Sequence, residues 1–328
     1  MSTVARRAQR WQLRPPPPYT WAGGSWSLDG NGRAYNTPTL GSELLTDPSL
    51  EAWSSATNAT SYTESIVGSS SINQESSVVH SGTYAARIDV DGSNSFAALN
   101  QVYTASIGQW IQASAWMRSS AASGKSHRID QINTNAPTLA MALTNTYQKF
   151  FISGRVTAAS PTFSSVRQTA SHSAYVDDAS VKPLTLATLF TSTDGGYSNL
   201  PVAARIAVIG AQCGIVSLLD SAASPANFLI AYHDGANVVL DKCVGGTYTN
   251  LVSTPVSFVA HAQIEIRRPS GNTFQVWYNG SQRGTDQTVS DAGIISNTRY
   301  GLFSTYLGNL FSEFSLNGLV IPLTQLGA

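Results

Sequence analysis

The sequence predicts an all-β protein made of two tandem antiparallel β-sandwiches that follow an extended N-terminal arm. Apolar and polar residues alternate in successive segments, which is the period of a half-buried strand. Turn signals such as Asn279-Gly280 separate these segments. Charged residues make up only 12% of the 328 residues. Hydroxyl and amide side chains take their place, which is typical of the outer faces of sheets.

The charge balance argues against two classes of partner. The chain has 19 Lys and Arg residues and 19 Asp and Glu residues, so nothing in its net charge favours nucleic acid or an anionic membrane. The sequence contains no run of about eighteen apolar residues, so we predict no membrane-spanning helix. The N-terminus contains arginines without the apolar segment of a secretory signal, so we expect no export.

Residues 1–40 are predicted to form an arm that binds a partner. Four consecutive prolines, 15–18, favour a stiff extended rod. Large aromatic residues are unusual in a disordered linker, and they suggest docking on another subunit. Folding back onto the chain's own domains is the alternative. The predicted partner-binding residues are Trp11, Arg14, Trp21, Trp26 and Tyr35.

Residues 41–184 form the first predicted sandwich. In "WIQASAWMR", 110–118, Ile111, Ala113, Ala115 and Met117 alternate with larger and more polar residues. We therefore expect the small and aliphatic residues to face the core. Proline cannot continue a strand ladder, so Lys182-Pro183 marks the predicted end of this domain.

Four spaced segments resemble the carbohydrate-binding, galactose-binding-like jelly-roll modules: "ELLTDPSLEAW", "HSGTYAARIDV", "GQWIQASAWMR" and "AYVDDASVKPL". The resemblance implies that Glu51 meets the closing strand. It also implies that Glu51 and Asp178 help to hold a structural calcium ion, which binds hard oxygen ligands. The alternative is that both carboxylates cap strands or turns.

Residues 185–328 form the second predicted sandwich. "IEIRRPSGNTFQVWYNGSQRG" followed by "TRYGLFSTYLGNLFSEFSL" resembles the concanavalin A-like, laminin-G-like sandwich. The hydrolases of that fold carry E-x-D-x-x-E on one strand, whereas Glu265 stands alone in "QIEIRR". Retaining hydrolysis needs two neighbouring carboxyl groups. We therefore predict no enzymatic activity.

Other catalytic and metal signatures are missing from the sequence. No two of the five histidines have the spacing of a local zinc pair, and no P-loop, dinucleotide fingerprint or nucleophile elbow occurs. Cys213 and Cys243 are as compatible with two buried thiols as with a disulfide.

Aromatic residues are the better functional candidates, because sugar rings stack on Trp and Tyr while amides and charged groups bind their hydroxyls. The alternative is that these aromatic residues pack under a loop or against the other domain. The predicted ligand-binding residues are Trp110, Gln112, Trp116 and Arg118 in the first sandwich and Trp277, Tyr278 and Asn279 in the second.

The jelly-roll opening, the aromatic arm and the lack of an export signal together resemble the binding-module proteins of tailed-phage virions. This resemblance implies a non-enzymatic virion protein, such as a capsid decoration or a tail-fibre component. Its partners would be other virion subunits, and it would form a homo-oligomer, commonly a trimer in this family. The alternative is a glycan-binding protein that serves host recognition or accompanies a polysaccharide-degrading system, with a cell-surface glycan as its partner.

Overall fold

The computed structural model describes residues 19–90, 96–122, 125–167 and 172–326. Short strands dominate the chain, which confirms the predicted all-β class. One short helix, α1, spans Ala292–Ile295, and 3-10 turns span Leu186–Leu189 and Leu323–Gln325.

In the first half of the chain, the described residues form fourteen strands, which pair antiparallel. They are β1 Trp26–Leu28, β2 Ala34–Asn36, β3 Trp53–Ser55, β4 Asn58–Ala59, β5 Thr63–Val67, β6 Ser71–Glu75, β7 Ala85–Val90, β8 Phe96–Val102, β9 Trp110–Ser119, β10 Lys125–Ile132, β11 Leu139–Leu143, β12 Gln148–Arg155, β13 Thr162–Arg167 and β14 His172–Pro183.

The second half contributes twelve more antiparallel strands. They are β15 Phe190–Asp194, β16 Val202–Val208, β17 Cys213–Leu219, β18 Phe228–His233, β19 Asn237–Val244, β20 Thr247–Pro255, β21 Gln263–Ser270, β22 Thr273–Tyr278, β23 Ser281–Thr288, β24 Arg299–Ser304, β25 Leu310–Leu316 and β26 Leu319–Val320.

The strands form two sandwiches. In the first, sheet I has the order β12-β9-β14-β7-β6 and sheet II the order β11-β10-β13-β8-β5. In the second, sheet III has the order β1-β2-β25-β16-β21-β22-β23, with β26 beside β25, and sheet IV the order β15-β24-β17-β18-β19-β20. β3 and β4 form a separate small hairpin. The alternating apolar residues of β9 face the core between sheets I and II, as the sequence predicts.

The two sandwiches pack against each other through sheets I and IV. One face of sheet IV covers the core that it shares with sheet III, and its other face packs around Trp110 of β9. When both faces of a sheet are covered, nearly every residue along its central strands is buried. Every residue of β17 and β18 is buried. The four sheets therefore stack in the order II, I, IV, III.

The interpretation of residues 19–40 as a partner-binding arm needs correction, because this segment lies on the second sandwich of the same chain. β1 and β2 extend sheet III through β25. Trp26 is buried against Phe311, and Trp21 packs on Phe314 with ring centroids 5.0 Å apart. Trp26 is thereby unavailable to a partner, and Trp21 is partly buried against the same core. Tyr35, in β2, is half-buried, while Trp11 and Arg14 lie outside the described residues.

The leucine-rich opening segment is held by two carboxylates. Asp47 accepts hydrogen bonds from the backbone N–H groups of Glu51 and Ala52. Glu43 accepts the N–H of Val181 at 2.7 Å and the hydroxyl of Ser180 at 2.6 Å. Glu43, rather than the predicted Glu51, therefore meets the closing strand β14.

Both cysteines are buried free thiols. Cys213 faces the core between sheets III and IV, whereas Cys243 lies in the cluster on the other face of sheet IV. The sheet itself separates the two side chains, so they form no disulfide.

Within the described residues, no helix has the length and apolar character needed to cross a membrane.

Candidate functional site

Two of the predicted ligand-binding residues of β9 belong instead to the junction between the sandwiches. Trp110 is buried, and its indole N–H donates to the Tyr248 hydroxyl at 3.0 Å. The Gln112 amide donates to the carbonyl of Thr305 at 3.3 Å. Sheet IV covers this half of the outer face of sheet I, so Trp110 is unavailable to a ligand and Gln112 is half-buried beside the junction.

Trp116 and Arg118 lie on the other half of the same face, which the second sandwich leaves open. The His80 ring stacks on Trp116 with centroids 3.9 Å apart. The Arg118 guanidinium lies 5.9 Å from the Tyr147 ring centroid and 5.6 Å from that of Tyr175. We call these five residues the open half of sheet I. Burial raises the pKa of the Tyr147 hydroxyl, which donates to the carbonyl of Val78 at 3.0 Å.

The structure separates the three predicted residues of the second sandwich. Tyr278 faces the core and is fully buried, so its assignment as a ligand contact is wrong. Trp277 faces outward, where Arg267 stacks on it at 3.9 Å and Gln275 accepts its indole N–H at 3.0 Å. Asn279 is exposed and has a φ of 50°, as expected of a hairpin turn residue.

Glu51 and Asp178, the predicted calcium ligands, accept hydrogen bonds from groups of the protein itself. Glu51 accepts the backbone N–H groups of Thr83 and Tyr84. Asp178 pairs with the Nδ1 atom of His80 at 2.6 Å and accepts the Ser81 hydroxyl. These contacts engage the Oε1 atom of Glu51 and both carboxylate oxygens of Asp178, which are the kind of ligand that calcium prefers.

Over the described ranges, no group of three or more His, Cys, Asp or Glu side chains is placed to hold a metal ion. Structural calcium at Glu51 and Asp178 stays a prediction.

The outer face of sheet II has a sunken centre and an exposed rim. Ala98, Ser164 and Val166 point away from the core and belong to no core cluster, yet they are only 2–6% exposed. At the two ends of the same face, Val67 is 43% exposed and Val102 is 63% exposed. Small side chains in the centre with larger ones around them produce this profile. We call this surface the concave face.

A row of polar side chains crosses the concave face in register. Asn100 pairs with Ser164, and Ser164 with Asp130, on adjacent strands β8, β13 and β10. The Ser164 hydroxyl donates to the Asn100 side-chain oxygen at 2.6 Å, and the Asn100 amide donates to the Ser65 hydroxyl at 3.1 Å. Donors and acceptors therefore follow one line across the strands.

Asp130 gives this row an unsatisfied charged acceptor. Its Oδ2 atom accepts a hydrogen bond from Arg128 at 2.7 Å. Its Oδ1 atom is buried and, among the described residues, has no hydrogen-bond partner. Leaving a buried carboxylate oxygen unpaired is unfavourable, so a ligand hydroxyl that donates to it would gain a strong hydrogen bond.

Sequence reasoning missed the concave face because it searched for aromatic residues. The available signal was the series of small or polar residues at the outward positions of β8 and β13, where Ala98, Asn100 and Ser164 alternate with core residues. Such positions also occur on flat solvated sheets, and only the fold shows that these are sunken.

The comparisons with known proteins give distant structural likenesses. No protein-family model and no curated protein matches the chain. The xylan-binding domain CBM22-1 of Paenibacillus barcinonensis Xyn10C is similar at 10% identity and a TM-score of 0.32, over 45% of this chain and 97% of that chain. The CBM22-1–CBM22-2 tandem of the same protein is similar at 9% identity and a TM-score of 0.33, over 85% and 98%.

The carbohydrate-binding module CBM66 of Bacillus subtilis is similar at 10% identity and a TM-score of 0.26, over 78% of this chain and 96% of that chain. These three similar structures are named as carbohydrate-binding modules or domains. At these values the likenesses assign no function to this chain.

Proposed function

We propose that this chain is a non-enzymatic glycan-binding protein and that the concave face of its first sandwich is the binding surface. The observation that carries the proposal is the buried Oδ1 atom of Asp130, which lies beside the polar row of Asn100 and Ser164 and has no hydrogen-bond partner in the described part of the chain. A saccharide offers many hydroxyl groups, each of which donates and accepts hydrogen bonds. A sunken row of amide, hydroxyl and carboxylate groups complements that chemistry.

The geometry also favours binding over catalysis. Asp130 is paired with Arg128 at 2.7 Å, so its Oδ2 atom is already engaged by a cation. A hydrolase that works with acid and base needs a second carboxyl group at a defined distance from the first. The row offers the Asn100 amide and the Ser164 and Ser65 hydroxyls beside this ion pair, which suits the recognition of a neutral saccharide chain.

The test is a glycan array probed with the whole chain, followed by titration calorimetry with the best neutral oligosaccharide. We expect Asp130→Asn and Asn100→Ala each to raise the Kd by about tenfold or more, which corresponds to about 1.4 kcal/mol. Asp286→Asn and Asn145→Ala are matched controls on exposed positions and leave the Kd unchanged. Absence of binding on the array, or equal Kd values for the Asp130 and Asp286 variants, would contradict the proposal.

A role as a virion structural protein, in a capsid decoration or a tail fibre, is the second proposal. It rests on the sequence resemblance and on the arginine- and tryptophan-containing segment before Tyr19, which includes Trp11 and Arg14. Its partners would be other virion subunits, including further copies of this chain.

A deletion that tests the virion role must end at Pro18, because residues 19–40 pair with the second sandwich. We expect a chain without residues 1–18 to keep its thermal stability and to be missing from particles viewed by electron microscopy. Incorporation at the occupancy of the intact chain would contradict this role.

A further inference from the structure

The open half of sheet I carries an arginine that pairs with no carboxylate among the described residues. Arg118 forms no ion pair there, and its Nε atom is buried without a hydrogen-bond partner. A guanidinium has five N–H donors in a fixed plane, and burying one of them unpaired is unfavourable. An external oxyanion is the group that would satisfy these donors.

The carboxylates on this face are already bound to other groups. Asp177 accepts the backbone N–H groups of His80, Ser81 and Asp178. Asp178 pairs with His80, as described above. They do not compete with a ligand for the guanidinium.

Two further carboxylates of sheet I, Glu75 and Asp89, are also bound to other groups and do not reach Arg118. Glu75 accepts the N–H groups of Ser77 and Val78 and lies 3.6 Å from Arg87. Asp89 accepts from the Nε atom of Arg87 at 2.9 Å. Arg87 is therefore neutralised by its neighbours, in contrast to Arg118.

Aromatic rings surround the unpaired guanidinium. Tyr175 lies directly across from Arg118 in the register of β14 and β9, and Tyr147 approaches it as well. Trp116 precedes it by two positions on the same face, and the exposed Lys149 lies opposite Trp116 on β12. The surface thus combines two cations that lack a carboxylate partner in the described residues with the half-buried rings of Tyr147 and Tyr175, on which a sugar can stack.

We propose that Arg118 is the anion-binding centre of a second saccharide site, and that this site takes the carboxylate of an acidic sugar such as a uronic acid. A planar carboxylate matches the guanidinium fork in a bidentate manner, whereas a lysine offers only a point charge. Tyr147 and Tyr175 would contact the C–H faces of the sugar ring. The inference rests on the proposed glycan-binding function and extends it to a charged class of ligand at a separate surface.

The experiment measures the binding of the whole chain to uronic acid trimers by titration calorimetry. The probes are trimers of galacturonate, glucuronate and mannuronate, each compared with its methyl ester, which has the same ring but no charge. We expect at least one acid to bind about tenfold tighter than its ester. Raising the salt concentration from 50 to 500 mM should weaken the binding of that acid and leave its ester unaffected.

Three variants localise the effect. Arg118→Gln removes the charge and should abolish the preference for the acid, and Arg118→Lys should recover only part of it. Arg205→Gln changes a surface arginine of the second sandwich, which faces Glu313 at 3.5 Å, and should change nothing. Thermal melts check that each variant is folded. If Arg118→Gln fails to fold, the comparison of acid with ester in the intact chain decides.

The outcomes separate this inference from the proposed function. Equal affinity of the intact chain for acid and ester overturns the inference, as does an unchanged acid preference in folded Arg118→Gln. Neutral binding that is lost in Asp130→Asn supports the concave face in either case. If inorganic sulfate weakens the binding of neutral and acidic trimers to the same extent, the inference is also overturned. A chain that binds neither class of trimer overturns this inference, whereas the glycan array alone decides the proposed function of the concave face.

Discussion

At the scale of single residues, carboxylates accept hydrogen bonds from the backbone and thereby hold strands and turns in place. Glu43 binds the closing strand β14, and Asp47 holds the turn that follows the opening segment. Asp178 has a φ of 45° at the irregularity of β14, where its side chain meets His80. Carboxylates in an otherwise weakly charged chain therefore serve backbone N–H groups and turns as well as ion pairs.

His233 makes the stability of the second sandwich dependent on pH. Burial lowers the pKa of this imidazole below its ordinary 6.5, and its Nδ1 atom accepts the N–H of Gly235. The unfolded chain therefore binds the proton more readily than the folded one. The stabilisation is complete above pH 6.5 and is lost as the pH falls below that value.

We expect the free energy of unfolding of the intact chain to fall between pH 7.5 and pH 5.5, with a smaller fall in His233→Asn. Urea denaturation at both pH values measures the difference. His261→Asn, at an exposed position, is the control and keeps the pH dependence of the intact chain. Equal losses in the His233 and His261 variants would contradict the assignment.

At the scale of elements, the side chains of the single strand β9 lie in three different environments. Its inward residues fill the core between sheets I and II. The outward residues near its start, such as Trp110, pack against sheet IV, and those near its end, such as Arg118, lie on the open half. The strand is long enough, at ten residues, to reach past the edge of the second sandwich.

β1 and β2 are structural strands of the second sandwich, so changes in them should lower stability. Trp26→Ala removes a buried ring that packs on Phe311, and we expect a loss of about 3–5 kcal/mol. Ser27→Ala, on the exposed side of the same strand, is the control and should change stability by less than about 0.5 kcal/mol. Chemical denaturation checks both. A Trp26 variant as stable as the Ser27 variant would mean that β1 does not support the fold.

At the scale of the whole molecule, the four stacked sheets act as one unit because polar contacts join sheets I and IV. Arg155 of β12 pairs with Asp241 of β19 at 3.0 Å, and both side chains are buried. The guanidinium of Arg155 also lies 4.1 Å from the Tyr248 ring centroid. The Ser153 and Thr305 hydroxyls bond at 2.6 Å across the same junction. The concave face and the open half are thereby held in fixed positions relative to the second sandwich.

We expect the intact chain to unfold in one calorimetric transition. Arg155→Met leaves the buried Asp241 carboxylate without its cation and should cost about 3–5 kcal/mol, which would separate the transition into two. Arg205→Met removes a surface ion pair and should cost less than about 1 kcal/mol. One unchanged transition in the Arg155 variant would show that the ion pair does not couple the sandwiches.

The sequence by itself determined the all-β class, the inward faces of strands such as β9 and the Asn279-Gly280 turn, because each depends on neighbouring residues. It also placed Trp116 and Arg118 on one outward face. Only the tertiary structure decided which outward faces another sheet covers, as it does at Trp110 and Trp26, and which are sunken. Alternation along a strand shows which of its faces is apolar. The sheet that covers the opposite face is formed by distant parts of the chain, so the local sequence does not reveal it.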